Sequence, residues 1–326
     1  MAPQVLDLAA AGDPRDAVHR VVQALAEGKV VALPTETVYG LAADALNPEA
    51  VARIFEAKER PRFDPLIVHL PEQKALDHVS KIETEIVPQL TQAFWPGPLT
   101  IVLRKRDTIP DIVTAGLETV AIRMSANPIF MKIAAKFGRP IAAPSANRFG
   151  QISPTRASHV FDELGGRIAL IVDGGPTQHG IESTIVRIVN GSIEILRNGP
   201  ITAEKRAQFA PIVKGRSSDT VSAPGQLPSH YAPHAKLVVV ATLENVSGWS
   251  GKRIAALSFR DSTALHRFWT RAYLSERGDL REAAANLFQK LRQLDRQNPD
   301  LIVAELVPEE GIGAAINERL RRAAVK

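Results

Sequence analysis

The stretch Pro34-Thr35-Glu36-Thr37-Val38-Tyr39-Gly40-Leu41-Ala42-Ala43-Asp44 decides how the chain is read. It follows the apolar run Val30-Val31-Ala32-Leu33, which reads as a strand, and Pro34 stops strand pairing because it has no N–H to donate. Two threonines, a glutamate and a tyrosine then crowd together before Gly40, where backbone can approach a ligand closely. Open α/β sheets carry their sites at strand ends, so one reading of the stretch is a binding loop. The other is a strand-to-helix connector whose threonines cap the turn that follows. The residues of the stretch leave both open.

Upstream, residues 13–28 read as a helix, with Asp13 as cap, Pro14 in the first turn, a stripe of Ala17, Val18, Val21, Val22 and Leu25, and Gly28 as its end. Downstream, Asn47-Pro48 opens a second helix that buries Val51, Ile54 and Phe55 and stops at Pro61. Lys58 and Arg60 lie in its last turn, where the helix dipole favours cations. With Arg62, and beside the strand 66–70, they also make a cradle for an anion. An amphipathic helix follows near 82–94, then Trp95, read as a core or lip residue, then strands at 101–103 and 120–124. Arg123 sits in the second of these. It is costly to bury unpaired, so it must meet solvent, a carboxylate or an anionic ligand. A helix from Asn127-Pro128 to Gly138 and a strand at 140–143 lead to Pro144-Ser145-Ala146-Asn147, then Arg148, Gly150 and Ser153. Hydroxyl and amide groups at a strand end can bond phosphate or ribose, or form an ordinary turn. A strand at 168–172 ends in Asp173-Gly174-Gly175, and Gly180–Thr184 opens a hairpin-like pair at 185–189 and 193–196 that Arg197-Asn198-Gly199-Pro200 closes. His179 reads as a surface residue.

With 326 residues the chain should hold about two domains. Apolar residues are 45 %, enough for sizeable cores, and no run approaches the roughly 18 apolar residues of a membrane span. The first residues lack a basic segment and a long apolar core, so no secretory signal is expected. The absence of cysteine excludes disulfides and thiolate metal sites, and a cytoplasmic enzyme is the expectation. Forty Lys and Arg against 35 Asp and Glu give a net +5, mildly basic, which suits anionic substrates or weak contact with RNA. Residues 205–234 are dense in proline and glycine and read as a linker. Residues 235–326 alternate strand, strand, helix, strand, helix, with strands at 237–240, 254–258 and 301–304, as in a small parallel α/β unit. Gly311-Ile312-Gly313 lacks the third glycine of a dinucleotide fingerprint and reads as a helix start. There is no GxxxxGK[ST] loop, no HExxH and no clear Ser-His-Asp layout. Cations and small polar groups at strand ends suit a reaction run by positioning and charge neutralisation.

The stretch PTETVYGLAADA resembles the signature of the YrdC family, whose long two-domain members are threonylcarbamoyl-AMP synthases. KERPRFDPLIVHL resembles the family's lysine-x-arginine motif, and Ser145-Ala146-Asn147 its SxN motif. Asp173-Gly174-Gly175, Glu182-Ser183-Thr184-Ile185 and Leu196-Arg197-Asn198-Gly199 are similar to further family stretches. The segment from Pro224-Gly225 to His230-Tyr231-Ala232-Pro233 resembles one that folds back over the nucleotide. Two departures stand out. Asp64 replaces the usual asparagine, which would repel phosphate where an amide could donate, and Pro228 stands where a tyrosine is common.

The resemblance implies a YrdC-like twisted mixed sheet with flanking helices over 1–204, a linker and active-site lid over 205–234, with the lid itself at 223–233, and a small Rossmann-like parallel α/β domain over 235–326. It implies that the amine of L-threonine takes up bicarbonate and that the carbamate attacks the α-phosphorus of ATP, with Mg2+ bound mainly through the phosphates. The product would pass to a downstream enzyme that transfers threonylcarbamoyl to tRNA. Carried over residue by residue, threonine would be held by Thr37, His69, Arg123, Ala143 and Ser183. ATP would be held by Lys58, Arg60, Asp64, Thr119, Ser145, Asn147, Ser153 and Arg197. No general base is assigned. The rival readings are a YrdC-like carbamoyltransferase, which the absence of cysteine argues against, and a non-catalytic RNA-binding module, for which no usual motif is visible.

Overall fold

The computed structural model describes residues 3–8, 15–214, 230–244, 246 and 251–325. The helix cap expected at Asp13 and the lid residues 223–229, Pro228 among them, lie outside these.

Most of the described chain up to Lys214 builds one large mixed sheet. From edge to edge its strands run Gln4–Asp7, Leu170–Asp173, Val31–Leu33, Gly40–Asp44, Ile141–Ala142, Ile67–His69, Thr119–Arg123, Leu99–Lys105, Thr184–Val189, Ser192–Arg197 and Ile212–Lys214, with Ser80–Lys81 paired beside Leu99–Lys105. Parallel and antiparallel neighbours alternate irregularly: Ile67–His69 is parallel to Thr119–Arg123 and antiparallel to Ile141–Ala142. The strand Val31–Leu33 shows why its sequence is continuously apolar. Ala32 faces a core with Val51, Ile54 and Phe55, while Val31 and Leu33 face a second core with Val21, Leu25 and Phe130. Side chains alternate across a strand, so helices on both sides demand apolar residues at every position.

The signature stretch is not a strand-to-helix connector. After the Pro34–Tyr39 loop the chain reverses into the strand Gly40–Asp44, antiparallel to Val31–Leu33 with Leu33 opposite Gly40 and Val31 opposite Ala42. All of Val31–Ala45 is buried. A short apolar run sandwiched on both faces carries no period-2 signal that would have exposed it as a strand. Asn47 then caps the helix Pro48–Lys58 through Oδ1, and Glu59 ends it in the left-handed conformation. Asn127 caps Pro128–Phe137 in the same way.

The expected boundary after residue 204 falls inside the short helix Ala203–Arg206, and Ile212–Lys214 still pairs with the large sheet. The first domain therefore extends to 214. The last section is a four-stranded, wholly parallel sheet in the order Lys236–Val240, Leu301–Glu305, Ile254–Ser258, Thr270–Tyr273, with helices Leu280–Asp295 and Gly313–Ala323. The strand Thr270–Tyr273 was not expected. It carries Arg271 and lies at the edge of the sheet, where a polar position costs little.

The two domains share a core. Val38, Ile152 and Ile181 of the first pack in one cluster with Leu257, Leu287, Phe288 and Ile316 of the second. Gly180 has φ +68°, and a Cβ there would run into the backbone of Ala284 and Ala285, so only glycine lets the helix Leu280–Asp295 dock this closely. Arg292 pairs with Glu163, and Arg296 with Asp162, across the same boundary.

Candidate functional site

The Pro34–Tyr39 loop is folded by its own hydroxyls. Thr35 Oγ1 accepts from the amides of Thr37 (3.1 Å) and Val38 (3.2 Å) and donates to the Val38 carbonyl at 2.6 Å. Tyr39 anchors the loop from below, its hydroxyl donating to the Gly175 carbonyl at 2.7 Å and accepting from the Gly174 amide at 3.1 Å. The Asp173-Gly174-Gly175 stretch is thus a seat for the signature loop.

On this platform Thr37, Gly40, Arg60, His69, Arg123, Ala143, Ser145, Glu182, Ser183 and Arg197 converge on one hollow. They come from the ends of six different strands and from the loop after the helix Pro48–Lys58. Arg123, at the end of its strand, is 3 % exposed; Nη1 donates to Thr37 Oγ1 at 2.9 Å and Nη2 lies 2.6 Å from Glu36 Oε1. Of the three fates open to Arg123 in the sequence, the structure realises the carboxylate. Its Nε has no partner, so the guanidinium retains capacity for a second anion. Burial would raise the Glu36 carboxyl, but Arg123 and the Ser125 hydroxyl (2.5 Å) lower it to about 2. His69 is neutral: burial, then Arg123, bring it down to about 3, and its ring lies 4.8 Å from that of Phe130 with Nδ1 unpartnered. The amide of Ala143 donates to the Ile67 carbonyl at 2.9 Å, which leaves only its carbonyl for a ligand. Ser183 bonds Thr100 Oγ1 at 2.8 Å and receives Arg197 Nη2 at 3.0 Å. A Cβ at Gly199 would strike the backbone of Ser183 and Thr184, so the hairpin's closing glycine sets the height of Ser183.

The second group of residues is arranged around buried cations. Lys58 is 1 % exposed and donates Nζ to the carbonyls of Ser145 (2.5 Å) and Asn147 (2.6 Å), tying the lysine-x-arginine motif to the SxN motif. Burial and the neighbouring Arg60 bring Lys58 down to about 7. Arg60 pairs with Asp64 at 2.9 Å and donates to the Pro65 carbonyl at 2.8 Å. The departure at Asp64 therefore places a counter-charge beneath Arg60, with burial raising its carboxyl above the usual range against the pull of Arg60. Asp64, Asn147 and Ser153 stand behind the lining, Asn147 Oδ1 without a partner and Ser153 donating to Glu182 Oε1 at 2.5 Å.

Thr119 is not brought to this hollow. It begins the strand that Arg123 ends, so the two are about 13 Å apart at roughly 3.3 Å per residue. It lines a separate hollow with Arg104 and Arg187. His179 is half-buried, not on the surface, and its amide donates to the Glu36 carbonyl at 2.9 Å. Trp95 is a core residue, with Nε1 donating to the Leu99 carbonyl at 2.7 Å. Glu36, Thr100 and Glu182 were not among the expected site residues. A glutamate between two threonines in a buried loop was the available signal for Glu36; Thr100 and Glu182 gave none.

His230 and Tyr231 complete the lining. Ala232 pairs with the Gln151 segment, its amide donating to the Gly150 carbonyl at 2.9 Å, and Tyr231 stacks on Phe288 with ring centres 5.4 Å apart. Neither His230 Nδ1 nor the Tyr231 hydroxyl has a partner. Among the described residues, no group of three or more His, Asp or Glu side chains could hold a metal ion, and no helix is long and apolar enough to cross a membrane.

A mixed sheet that gathers buried arginines and hydroxyls at its strand ends, braced by a parallel α/β domain, defines a two-domain α/β protein with an arginine-lined hollow. Residues 23–199 match the Sua5/YciO/YrdC family model, described as telomere recombination, and residues 184–325 match the model for the threonylcarbamoyl-AMP synthase C-terminal domain. The chain belongs to this family. It is 42 % identical to the threonylcarbamoyl-AMP synthase of Pyrococcus abyssi, over 91 % of each chain. It is 41 % identical to that of Bacillus subtilis, over 98 % of this chain and 96 % of the relative. The crystal structure of P. abyssi Sua5 complexed with L-threonine superimposes with a TM-score of 0.88 at 38 % identity, covering 98 % of this chain and 97 % of that one.

Proposed function

We infer that the chain is a threonylcarbamoyl-AMP synthase: L-threonine, bicarbonate and ATP give threonylcarbamoyl-AMP, pyrophosphate and water. The convergence of Thr37, Arg60, Arg123, Ser145, Ser183 and Arg197 on one hollow, in a chain similar along its whole length to synthases, carries the reading. Threonine's carboxylate is met by Arg123, whose Nε is free of other partners, and its amine and hydroxyl by the Ala143 carbonyl and the Thr37 and Ser183 hydroxyls. The amine takes up bicarbonate with loss of water, and the carbamate oxygen attacks the α-phosphorus as pyrophosphate leaves. Lys58, Arg60 and Arg197 offset the charge of the triphosphate; Ser145, Asn147 and Ser153 orient it. Mg2+ arrives with ATP as part of the substrate. The carboxylate lining the hollow, Glu182, already has both oxygens engaged, so the ion is held by phosphates and water.

The lid expected at 223–233 gains support from its described end. His230 and Tyr231 lie against the hollow and narrow it. Displacing this end would widen the hollow for ATP, and its return would shield carbamate and mixed anhydride from water. The labile product is consumed by an enzyme that transfers threonylcarbamoyl to tRNA, which assigns the chain to the compartment where tRNA is modified, the cytoplasm.

Incubation with ATP, bicarbonate and single amino acids, following pyrophosphate release, tests the reading. Release that depends on threonine is expected. Release independent of the amino acid, or none, overturns it.

A further inference from the structure

The hollow is backed by a residue of the other domain. Glu182 Oε1 accepts from Ser153, and its Oε2 accepts from Arg319 Nε at 3.1 Å. Arg319 projects from the C-terminal helix Gly313–Ala323 and is 1 % exposed. Its Nη1 donates at 2.5 Å to the carbonyl of Asn198, the residue after Arg197. Its guanidinium lies 5.7 Å from the centre of the Tyr231 ring, the same ring that stacks on Phe288. One buried cation thus touches three separate segments, and each of them carries or adjoins a residue lining the hollow. The interdomain ion pairs Arg292–Glu163 and Arg296–Asp162 lie along a different groove and touch none of these lining residues, and Glu318, beside Arg319, accepts, among the described residues, only from Asn198 across the boundary. Holding domains together does not by itself require an arginine on Glu182.

We propose that Arg319 is a positioning residue for adenylate formation, through which the C-terminal domain becomes part of the nucleotide site. The proposal rests on the synthase reading. Arg319 neutralises Glu182, which would otherwise present an unpaired carboxylate to a triphosphate, and keeps it ionised as the acceptor that orients Ser153. It also holds Tyr231, which lines the hollow, in register with the same carboxylate. Burial would raise the Glu182 carboxyl, yet Arg319, Arg197 and Ser153 hold it below the ordinary range. On Arg319 burial disfavours the charge, while Tyr231, Glu182 and Glu318 hold its pKa above the ordinary value.

The test uses the full chain with Arg319→Met, Arg319→Lys, Ser153→Ala and the double variant Arg319→Met/Ser153→Ala, each checked by thermal unfolding. Pyrophosphate release is measured against ATP and, separately, against threonine. Arg319→Met should raise KM for ATP about tenfold or more and lower kcat, with KM for threonine within about twofold. Arg319→Lys should recover part of the loss, and adding Ser153→Ala to Arg319→Met should cost little more, because both act through Glu182. A role confined to stability would lower the unfolding temperature and the active fraction without a selective change in KM for ATP. Folded variants with unchanged KM for ATP, equal shifts for both substrates, or additive losses overturn the proposal. Should Arg319→Met fail to fold, Arg319→Lys decides by the same KM split. Absence of threonine-dependent release from the wild-type chain overturns the synthase reading; an active wild type beside unaffected variants overturns this inference alone.

Discussion

The two sheets put buried charge to different uses. In the large sheet Lys58, Arg60, Arg123, Glu182 and Arg197 are buried at or beside strand ends and gather round a hollow. In the small one the buried strand residues are uncharged, and apolar except for Ser258. Its buried charges, Arg292, Asp295 and Arg319, all reach outward to the first domain or to the segment joining them. Asp295, for instance, accepts from the amides of His234 (3.0 Å) and Ala235 (2.9 Å), just beyond the lid. No residue after Tyr231 lines the hollow, among those described. Buried charges are expensive and persist where paired. Where they cluster on a cavity they mark chemistry, and where they cross a boundary they mark a brace.

That contrast breaks most visibly at Arg123. Arg123→Ala should lower threonine-dependent pyrophosphate release by about 100-fold or more. It should also destabilise the fold by about 3–5 kcal/mol, because Glu36 is left as an uncompensated buried charge; steady-state kinetics and denaturant unfolding measure both. Arg60→Ala should weaken ATP about tenfold in KM, with a smaller change for threonine, and leave Asp64 to take up a proton. Titration calorimetry in buffers of different ionisation enthalpy would sharpen the picture at Lys58. Its pKa is lowered to about 7 in the free protein, and a bound triphosphate favours its charged form. Nucleotide binding at pH 8 should therefore take up a proton, affinity should fall as pH rises through about 7, and the uptake should vanish in Lys58→Met. The smallest effect is expected from Thr119→Ala, which the geometry sets at the far end of the Arg123 strand. Kinetic constants within about twofold of wild type would agree with it, since surface changes away from a site act weakly.

Much of this was legible beforehand. Asn47-Pro48, Asn127-Pro128 and Gly138 mark helix ends by local hydrogen bonding, and all three act as caps. Leu237–Val240 and Ile254–Ser258 announced themselves by apolar β-branched content between polar stretches. The strand Gly40–Asp44 did not, since residues buried on both faces show no alternation. Many of the residues that the family motifs named line one hollow, while Thr119 lies at the other end of the Arg123 strand, because motif position says nothing about which end of a strand a residue occupies. Glu182 and Arg319 were silent for a related reason: in Arg319-Leu320-Arg321-Arg322 a buried arginine cannot be told from its solvated neighbours.

The order of residues alone determined most of the elements, the helix caps and the chemical types available at the strand ends, because these follow from propensities and hydrogen bonds spanning a few residues; the strands Gly40–Asp44 and Thr270–Tyr273 needed the assembled sheets. Which cation meets which carboxylate was decided only in three dimensions. Arg123 with Glu36, Arg60 with Asp64 and Arg319 with Glu182 are pairings of groups up to 137 positions apart, and the energy that selects them, desolvation offset by a partner within reach, exists only once the chain has excluded water.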